Sequence, residues 1–526
     1  MERFELLGLC LALVALCGVV RGQETPTPRV GDIIYSTDFD TPEAREGWSQ
    51  APGAQWVPLE GRGTCLRFAV PVALAGAMNG IQRTIDLAPY RGCRLAFECL
   101  AKAEGVTQPA HPWNGVKFML HYRSPTLGDQ WTNQNDVFGT FDWKKLSFAV
   151  RIADDATVGE MVLGLQDASG TAWFDDVQVQ VYKLPAPQRP GPMANPGPVF
   201  RGHSLPRLRG VMSPNEFRDE DLRVLGQEWK ANVIRWQMTR YWGQIGTDRD
   251  LAEYDRWLVG KLDELDRVLE ACGRYGIKVV VDMHTPPGGR LEGSELAIFH
   301  EPKYQDHWVK LWEMLARRYK GNRVIWGYDL INEPVQHRPS PPGVSDYLEG
   351  QVRVARAIRA IDPDIPIFIE ANEWDSAAGF TELLPVDVPN VIYQVHMYTP
   401  GEFTHQGVYD KTRVFTYPGL INGVQWHKYK LRQSLQAVRD FQLAYNVHIY
   451  VGEFSAARWA PGAAEYLSDC IELFEEYGWD WTYHAYREWD GWSVEHGPDP
   501  NDHQPTTEPT DRMKVLLSWF ARNEKP

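Results

Sequence analysis

Two patterns of apolar and polar positions divide the chain into two parts. Between residues 33 and 183, short alternating or apolar runs such as Cys65–Val70, Gly80–Ile85 and Gly115–Tyr122 are separated by turns rich in Gly, Pro and Asn. Runs of this length and spacing are typical of antiparallel strands, so we expect an all-β sandwich here. After residue 207, apolar β-rich runs alternate with amphipathic helical stretches, which is typical of α/β proteins.

The second part repeats its strand-and-helix unit eight times. The predicted strands are Leu208–Met212, Asn232–Met238, Lys278–His284, Val324–Asn332, Ile365–Asn372, Val391–Tyr398, His448–Phe454 and Trp481–Trp489. Helical stretches lie between the strands, such as Asp219–Lys230, Leu258–Tyr275, Gln305–Tyr319, Tyr347–Ile361, Lys430–Tyr445 and Ala463–Tyr477, and Met513–Ala521 closes the series. Eight units predict a (β/α)8 TIM barrel over residues 207–526. A doubly wound open sheet is the alternative, but no Gly-rich phosphate loop follows the first strand.

A proline-rich segment lies between the two parts. Residues 184–206 are dominated by Pro with interspersed Gly, and this composition excludes a helix or a central strand. We therefore expect a semi-rigid linker between the domains at 33–183 and 207–526.

The N-terminus has the pattern of an export signal. An apolar run from Leu6 to Val20 precedes Arg21 and Gly22, which leaves small residues at −3 and −1 of a cleavage after Gly22. The sequence predicts a signal peptide at 1–22 and a secreted protein, either extracellular or periplasmic. A membrane anchor is the alternative, although about 20 apolar residues are needed to cross a bilayer.

Composition narrows the class of partner. The formal net charge is −15 and no basic stripe is present, which argues against nucleic acid and against insertion into or binding to an anionic membrane. A neutral partner fits better, and the 21 Trp and 22 Tyr provide flat apolar faces that can stack on sugar rings. No cysteine spacing in the sequence indicates a metal site. We expect the protein to be a monomer.

The most informative polar residues follow barrel strands. Strand four ends in Asn332-Glu333-Pro334 and strand seven contains Glu453. Catalytic groups of such barrels lie at the carboxyl ends of the strands, so these two carboxylates should converge across the barrel mouth. One acid and one nucleophile are what glycosidic cleavage needs. Asp282, His284 and His396 as metal ligands are the alternative, although barrel metal hydrolases usually offer His-x-His on the first strand.

From about Arg209 onward the chain resembles glycoside hydrolase family 5, which contains cellulases and mannanases with a retaining (β/α)8 catalytic domain. The resemblance rests on separate positions in the right order, which are Arg235 in Asn-Val-Ile-Arg-Trp, His284 in Asp-Met-His, Asn332-Glu333, His396-Met-Tyr398, Glu453, and Trp489 with Trp492 as the alternative. It implies that Glu333 is the acid/base and Glu453 the nucleophile. The other residues are then implied to bind substrate.

Physical roles follow from the residue types. Arg235 and the Tyr398 hydroxyl should keep Glu453 ionised through charge and hydrogen bonding. Asn332 can bond the sugar 2-hydroxyl, and His284 and His396 can orient the substrate and the carboxylates. Further tryptophans in or near loops at this face are candidates for sugar stacking or for loop packing, namely Trp236, Trp242, Trp374 and Trp459.

The N-terminal part resembles the jelly-roll carbohydrate-binding modules found beside polysaccharide hydrolases, through its opening Ser-Thr-Asp-Phe-Asp and its closing Ala-Trp-Phe-Asp-Asp-Val-Gln-Val. The resemblance implies a structural calcium ion, with Asp38, Asp40 and Asp176 as candidate ligands. Solvated edge acids are the alternative. Trp113 and Trp131 are the candidate sugar-binding aromatics.

Together these features predict an endo-β-1,4-glucanase that acts on β-glucan-type polysaccharide or oligosaccharide and needs no cofactor for catalysis. A β-mannanase, xyloglucanase, mixed-linkage glucanase or other β-glycosidase would use the same mechanism. A non-catalytic carbohydrate-binding protein is the alternative from another class, although binding alone requires no paired carboxylates.

Overall fold

The computed structural model describes residues 27–241, 244–408 and 413–524. The chain divides into two compact units between Pro185 and Ala186, and each unit has its own cluster of buried apolar side chains. The predicted signal peptide lies outside the described residues. Within the described ranges, no helix combines the length and the apolar character needed to cross a membrane.

The first unit consists of two antiparallel sheets. Its strands are β1 (Ile33–Thr37), β2 (Ala54–Leu59), β3 (Gly63–Val70), β4 (Met78–Asp86), β5 (Arg94–Val106), β6 (Gly115–Ser124), β7 (Gly128–Asn133), β8 (Gly139–Arg151), β9 (Val158–Gln166) and β10 (Gly170–Lys183). One sheet has the order β2-β3-β10-β5-β8, with β1 paired to β10, and the other has the order β4-β9-β6-β7. Side chains of both sheets, such as Phe97 and Phe118, share one core.

The sequence pattern missed β2 and β7. Both strands lie at sheet edges, where a strand pairs with one neighbour and needs few apolar residues. β7 reads Gly-Asp-Gln-Trp-Thr-Asn, and β2 contains Pro58. Neither sequence alternates strongly enough to stand out from a loop.

The second unit contains a closed barrel, which confirms the predicted architecture. Its strands are β11 (Arg209–Met212), β12 (Val233–Gln237), β13 (Lys278–Asp282), β14 (Ile325–Asp329), β15 (Ile367–Glu370), β16 (Val391–Met397), β19 (Ile449–Phe454) and β20 (Asp480–Tyr483). Neighbouring strands are parallel, and β20 closes the barrel against β11. A short hairpin, β17 (Gly419–Ile421) with β18 (Val424–Trp426), lies outside the barrel.

Helices follow the strands as the periodicity predicts. They are α1 (Asp219–Arg223), α2 (Leu251–Tyr275), α3 (Pro302–Tyr319), α4 (Tyr347–Ile361), α5 (Gly401–Thr404), α6 (Lys428–Ser434), α7 (Gln436–Tyr445), α8 (Ala463–Tyr477) and α9 (Asp511–Phe520). α2 begins earlier than predicted because Asp250 caps it and accepts hydrogen bonds from the amides of Ala252 and Glu253. The helix predicted over 219–230 changes to a π-helical turn at Val224–Trp229 and ends at Lys230 in the left-handed region.

The barrel interior has an apolar floor beneath a charged layer. Trp326, Phe368 and Tyr450 form the centre of the floor, with ring centroids 5.0–5.2 Å apart. Above them, towards the carboxyl ends of the strands, lie Arg235 and the carboxylates that surround it. This arrangement leaves the polar chemistry at the face where barrel enzymes carry their active sites.

The proline-rich segment makes hydrogen bonds with the second unit. The guanidinium of Arg189 donates to the carbonyls of Ala437 (3.1 Å) and Leu383 (3.3 Å). Trp326 Nε1 donates to the carbonyl of Arg201 at 3.1 Å. From Ala186 onward, the segment predicted as a spacer therefore belongs to the barrel unit, because a chain without regular structure can still bond through its carbonyls and side chains.

Candidate active site

The two predicted glutamates face each other at the top of the barrel. Glu333 follows β14 and Glu453 lies near the end of β19, and both are buried. His396 Nδ1 lies between them, 2.9 Å from Glu333 Oε1 and 3.7 Å from Glu453 Oε2. One carboxylate oxygen from each glutamate lies within 4.8 Å of the other. This spacing is closer to the roughly 5–5.5 Å typical of retaining glycosidases than to the roughly 6.5–9.5 Å of inverting ones.

Glu333 has a constrained backbone. Its φ is 51°, in the left-handed region, which is uncommon for residues other than Gly. Its backbone N–H donates to Glu370 Oε2 at 2.6 Å, and its carbonyl accepts from Arg290 Nη2 at 3.2 Å. These two bonds hold the turn in a conformation that aims the carboxyl group at the barrel axis.

Arg235 holds the nucleophile candidate from below. This fully buried guanidinium donates to Glu453 Oε1 at 2.6 Å, to Asp329 Oδ2 at 2.7 Å and to Asn332 Oδ1 at 3.0 Å. Glu370 and Asp282 lie 3.3 Å from its Nη2. One cation therefore meets four carboxylates, and their mutual repulsion disfavours the ionisation of all four together.

The acids around Arg235 differ in their protonation. Burial raises the pKa of Asp329 to about 6, although Arg235 opposes the shift, and it raises the pKa of Glu370 well above its usual range. Burial would also raise the pKa of Glu453, but the charges of His396, His484 and Arg235 outweigh it and hold that pKa well below its usual range. Glu453 is therefore held ionised, whereas burial favours the protonated form of Glu370.

A second set of donors holds the other oxygen of Glu453. The Tyr398 hydroxyl donates to Glu453 Oε2 at 2.8 Å. Burial, together with the charge of Glu453, raises the pKa of Tyr398 well above its usual range, so the hydroxyl keeps its proton. His484 Nδ1 lies 3.2 Å from the same oxygen.

His284 and Trp489 lie further from the glutamates. His284 Nδ1 is 2.7 Å from Asp282 Oδ2, which fixes the orientation of the ring. Trp489 is 38% exposed and lies in the loop after β20, with its ring 5.3 Å from that of Trp492. The predicted strand Trp481–Trp489 is therefore too long, since β20 ends at Tyr483. His484 is the residue that directly follows this strand.

The other candidate tryptophans differ in exposure. Trp236 is 1% exposed and packs in the core around the barrel, so it presents no face to a sugar. Trp374 is 37% exposed and covers Arg290 at 4.6 Å, beside the turn that carries Glu333. Trp459 donates its indole N–H to the carbonyl of Gln406 at 2.7 Å. Trp242 lies outside the described residues.

Several site residues escaped the sequence analysis, namely Asp329, Glu370, Arg290, His484 and Glu488. Glu370 carried a usable signal, because it is an acid at the carboxyl end of a predicted strand. His484 and Glu488 lie inside the aromatic run that was assigned to the eighth strand. His484 bonds to Glu488 four residues further along, but its contacts with Glu453 and Tyr398 come from distant segments, so no local pattern could reveal its role.

Two sets of side chains in the described ranges have metal-ligand spacing. One is Glu333, His396 and Glu453, and the other is Glu370, Asp375 and His396. Both oxygens of Glu453 already accept hydrogen bonds, from Arg235 and from Tyr398. The Arg235 guanidinium would repel a divalent cation bound by Glu333, His396 and Glu453. Asp282 and His284 bond to each other and belong to neither set.

The predicted calcium ligands do not fit a calcium ion as the structure arranges them. Asp38 and Asp40 accept backbone hydrogen bonds, at 3.0 Å from Asp40 N and at 2.6 Å from Thr64 N. Asp176 is largely exposed and forms an ion pair with Arg62 at 3.7 Å. Among the described residues, the three aspartates form no common group of ligands.

A closed parallel barrel with two facing glutamates at the ends of its fourth and seventh strands defines a retaining glycoside hydrolase. Residues 195–525 match the cellulase family, glycosyl hydrolase family 5, and the chain belongs to that family. The chain is therefore an enzyme that hydrolyses glycosidic bonds.

Individual relatives carry glucanase and xylosidase names. Endoglucanase C of Acetivibrio thermocellus is 28% identical over 270 residues, which cover 45% of this chain and 76% of that protein. A beta-xylosidase of Phanerodontia chrysosporium is 29% identical over 224 residues, covering 40% and 42%. Among solved structures, endoglucanase Cel5A of Thermotoga maritima has a TM-score of 0.45 and 21% identity, covering 59% and 96%.

Proposed function

We propose that this chain is a secreted endo-β-1,4-glucanase in which Glu333 is the acid/base and Glu453 the nucleophile. The spacing of the two carboxylates carries the proposal, since oxygens within 4.8 Å suit direct attack rather than attack through water. Inverting enzymes hold their carboxyl groups roughly 6.5–9.5 Å apart. Export is proposed from the residue pattern at 1–22, and a mature N-terminus at Gln23 would test it.

The chemistry runs in two displacements. Glu453 attacks the anomeric carbon while Glu333 donates its proton to the leaving oxygen, which gives a glycosyl-enzyme and releases the first product. Glu333 then takes a proton from water, the water oxygen attacks the same carbon, and the bond to Glu453 breaks. No step needs a metal. Configuration at the anomeric carbon is retained because it inverts twice.

Asn332 is suited to bind the 2-hydroxyl of the sugar. Its Oδ1 accepts from Arg235, which fixes the amide so that Nδ2 points away from the guanidinium. Nδ2 is buried and has no hydrogen-bond partner among the described residues. A sugar hydroxyl would satisfy this donor, and bonds to the 2-hydroxyl strengthen in the transition state.

Exposed aromatics in loops that follow the barrel strands support an extended sugar chain as substrate. Trp374 stands beside the Glu333 turn and Trp489 beyond the end of β20, and both are more than a third exposed. The glucan specificity is proposed from the relation to Endoglucanase C. A mannan, xyloglucan, mixed-linkage glucan or other β-glycoside remains the alternative substrate, because loop aromatics rather than the fold decide specificity.

Hydrolysis of a polysaccharide panel tests the proposed function. We expect the fastest release of reducing ends from soluble β-1,4-glucan, with a rapid fall in viscosity that indicates internal cleavage. EDTA should leave the rate unchanged, because two carboxylates carry the chemistry. Faster hydrolysis of mannan would move the specificity to the alternative. Activity that EDTA removes and a divalent cation restores would contradict the mechanism.

The first unit is proposed to be a jelly-roll carbohydrate-binding module. Support comes from two exposed tryptophans associated with the four-stranded sheet. Trp131 on β7 is 60% exposed and stacks on His121, with ring centroids 3.6 Å apart. Trp113, just before β6, is 51% exposed and stacks on His111, with ring centroids 4.6 Å apart. Each indole is supported on one side and open on the other, which suits stacking on pyranose rings. Asn133 links them, since its Nδ2 donates to the carbonyl of Trp113 at 3.1 Å.

Replacing both tryptophans should weaken binding to insoluble cellulose. We expect Trp113→Ala with Trp131→Ala to reduce the bound fraction about tenfold or more, the scale of losing one anchoring aromatic contact. Hydrolysis of soluble substrate should be unchanged, since the module would act only through local concentration. Trp143→Ala is the matched control, because Trp143 is half-buried on β8 of the other sheet. Equal losses on soluble and insoluble substrate, or an equal loss in the control, would contradict the module.

A further inference from the structure

His484 bridges two glutamates beside the reaction centre. It follows β20 directly and is largely buried. Its Nδ1 lies 3.2 Å from Glu453 Oε2 and 2.5 Å from the Tyr398 hydroxyl, and its Nε2 lies 2.8 Å from Glu488 Oε2. Both ring nitrogens therefore face an acid.

This environment determines the charge of the ring. A neutral imidazole has a single N–H, so it can donate to one of two carboxylates and must leave the other facing a lone pair. An imidazolium donates to both. Burial lowers the pKa of His484, but Glu488 and Glu453 together outweigh burial and raise that pKa to about 10. The ring is thus a cation throughout the acidic and neutral range.

Three further side chains lie around the His484 ring, namely Tyr398, His405 and Trp492. Tyr398 approaches from the loop after β16 with a neutral hydroxyl. His405, near α5, packs on the other side of Tyr398 with ring centroids 5.0 Å apart, and burial lowers its pKa. The ring centroid of Trp492 lies 5.9 Å from that of His484. The two anions that contact the His484 ring are Glu453 and Glu488.

We propose that His484, held by Glu488, is a positioning residue that acts with Arg235 to keep Glu453 ionised and aimed at the anomeric carbon. Arg235 binds Oε1 and His484 with Tyr398 holds Oε2, so each oxygen of the nucleophile has its own donor. Glu488 has a separate task. When Glu453 becomes esterified it loses its charge, and Glu488 keeps the buried imidazolium paired. This inference rests on the proposed role of Glu453.

The acidic limb of the pH profile tests the proposal. An aryl β-cellobioside with a good leaving group needs no acid, so the low-pH limb of its kcat/KM reports ionisation of Glu453 in the free enzyme. His484→Gln keeps a hydrogen-bonding side chain but removes the charge. We expect the limb to move to higher pH by about one unit or more, the usual effect of one close opposite charge.

His405→Gln is the matched control. It removes a histidine from the other side of the same tyrosine, and burial lowers the pKa of that histidine, whereas the pKa of His484 is raised. We expect the limb to stay in place in this variant. An unmoved limb in His484→Gln, or an equal shift in both variants, would overturn the proposal even if kcat falls.

Nuclear magnetic resonance of the histidine ring gives a second readout that does not depend on the folding of His484→Gln. In the wild-type protein, His484 should keep both ring protons through pH 8. In Glu488→Gln the ring should lose a proton at a lower pH, because one of its two anions is gone. A neutral His484 ring at pH 7 in the wild type would overturn the proposal.

Failure of the underlying mechanism can be recognised separately. A 2-deoxy-2-fluoro-β-cellobioside with a good leaving group should label Glu453 in the wild-type enzyme, as peptide mass spectrometry would show. A label on another residue would remove the proposed function. A label on Glu453 with an unmoved acidic limb in His484→Gln would remove only the role of His484.

Discussion

Glu453→Gly is expected to lower kcat by roughly four orders of magnitude or more, the scale seen when a hydrolase loses its nucleophile. Azide should then restore turnover of an activated β-glycoside and yield an α-glycosyl azide. The physical reason is the cationic pocket that the carboxylate leaves behind. Arg235, Tyr398 and His484 all direct donors at the vacated space, so a small anion can bind there and attack from the α face.

The anomer of the azide product, read by proton nuclear magnetic resonance, decides the assignment of Glu453. Glu488→Gly is the matched control, because it also removes a glutamate that contacts His484 but leaves the nucleophile in place. Azide should produce no α-azide in this control or in the wild-type enzyme. A β-azide from Glu453→Gly would mean that the two glutamates have the opposite roles.

The residues that the sequence could predict are those whose position follows from a strand end. Glu333 and Glu453 end predicted strands, and the barrel brings such ends together, so their meeting needed no knowledge of loops. His396 and Tyr398 likewise lie at the end of β16, and the family resemblance adds Arg235 from the middle of β12. Each points into the barrel mouth because of its place on a strand, and the structure brings all of them within reach of Glu453.

What the sequence could not predict depends on where strands stop and on contacts between distant segments. The run Tyr483-His484-Ala485-Tyr486 is aromatic enough to continue a strand, yet the pairing of β20 ends at Tyr483 with β11 and already at Trp481 with β19. His484 therefore lies at the strand end, where the sequence pattern predicts Trp489. The protonation of Glu370 likewise depends on burial among acids from other strands, which no local pattern contains.

Glu333→Ala is expected to separate the two displacements. Its carboxyl group, held by His396 at 2.9 Å, lies where it can protonate the leaving oxygen. Loss of a general acid costs roughly 10²–10⁴-fold in rate, so hydrolysis of β-glucan should fall by that factor. An aryl glycoside that needs no acid should still form the glycosyl-enzyme. Deglycosylation, which lacks its base, should become rate-limiting and lower both kcat and KM.

Azide distinguishes this variant from Glu453→Gly, because the same anion should give opposite anomers. In Glu333→Ala the intermediate on Glu453 has the α configuration, and azide needs no general base to attack it from the β face. The expected product is therefore a β-glycosyl azide, with kcat rising as azide is added. A variant without this rescue, or one that also loses the first displacement with the activated substrate, would contradict the acid/base role of Glu333. His396→Ala is the control, because it removes the partner of Glu333 but keeps the Glu333 carboxyl group. We expect azide not to rescue this variant.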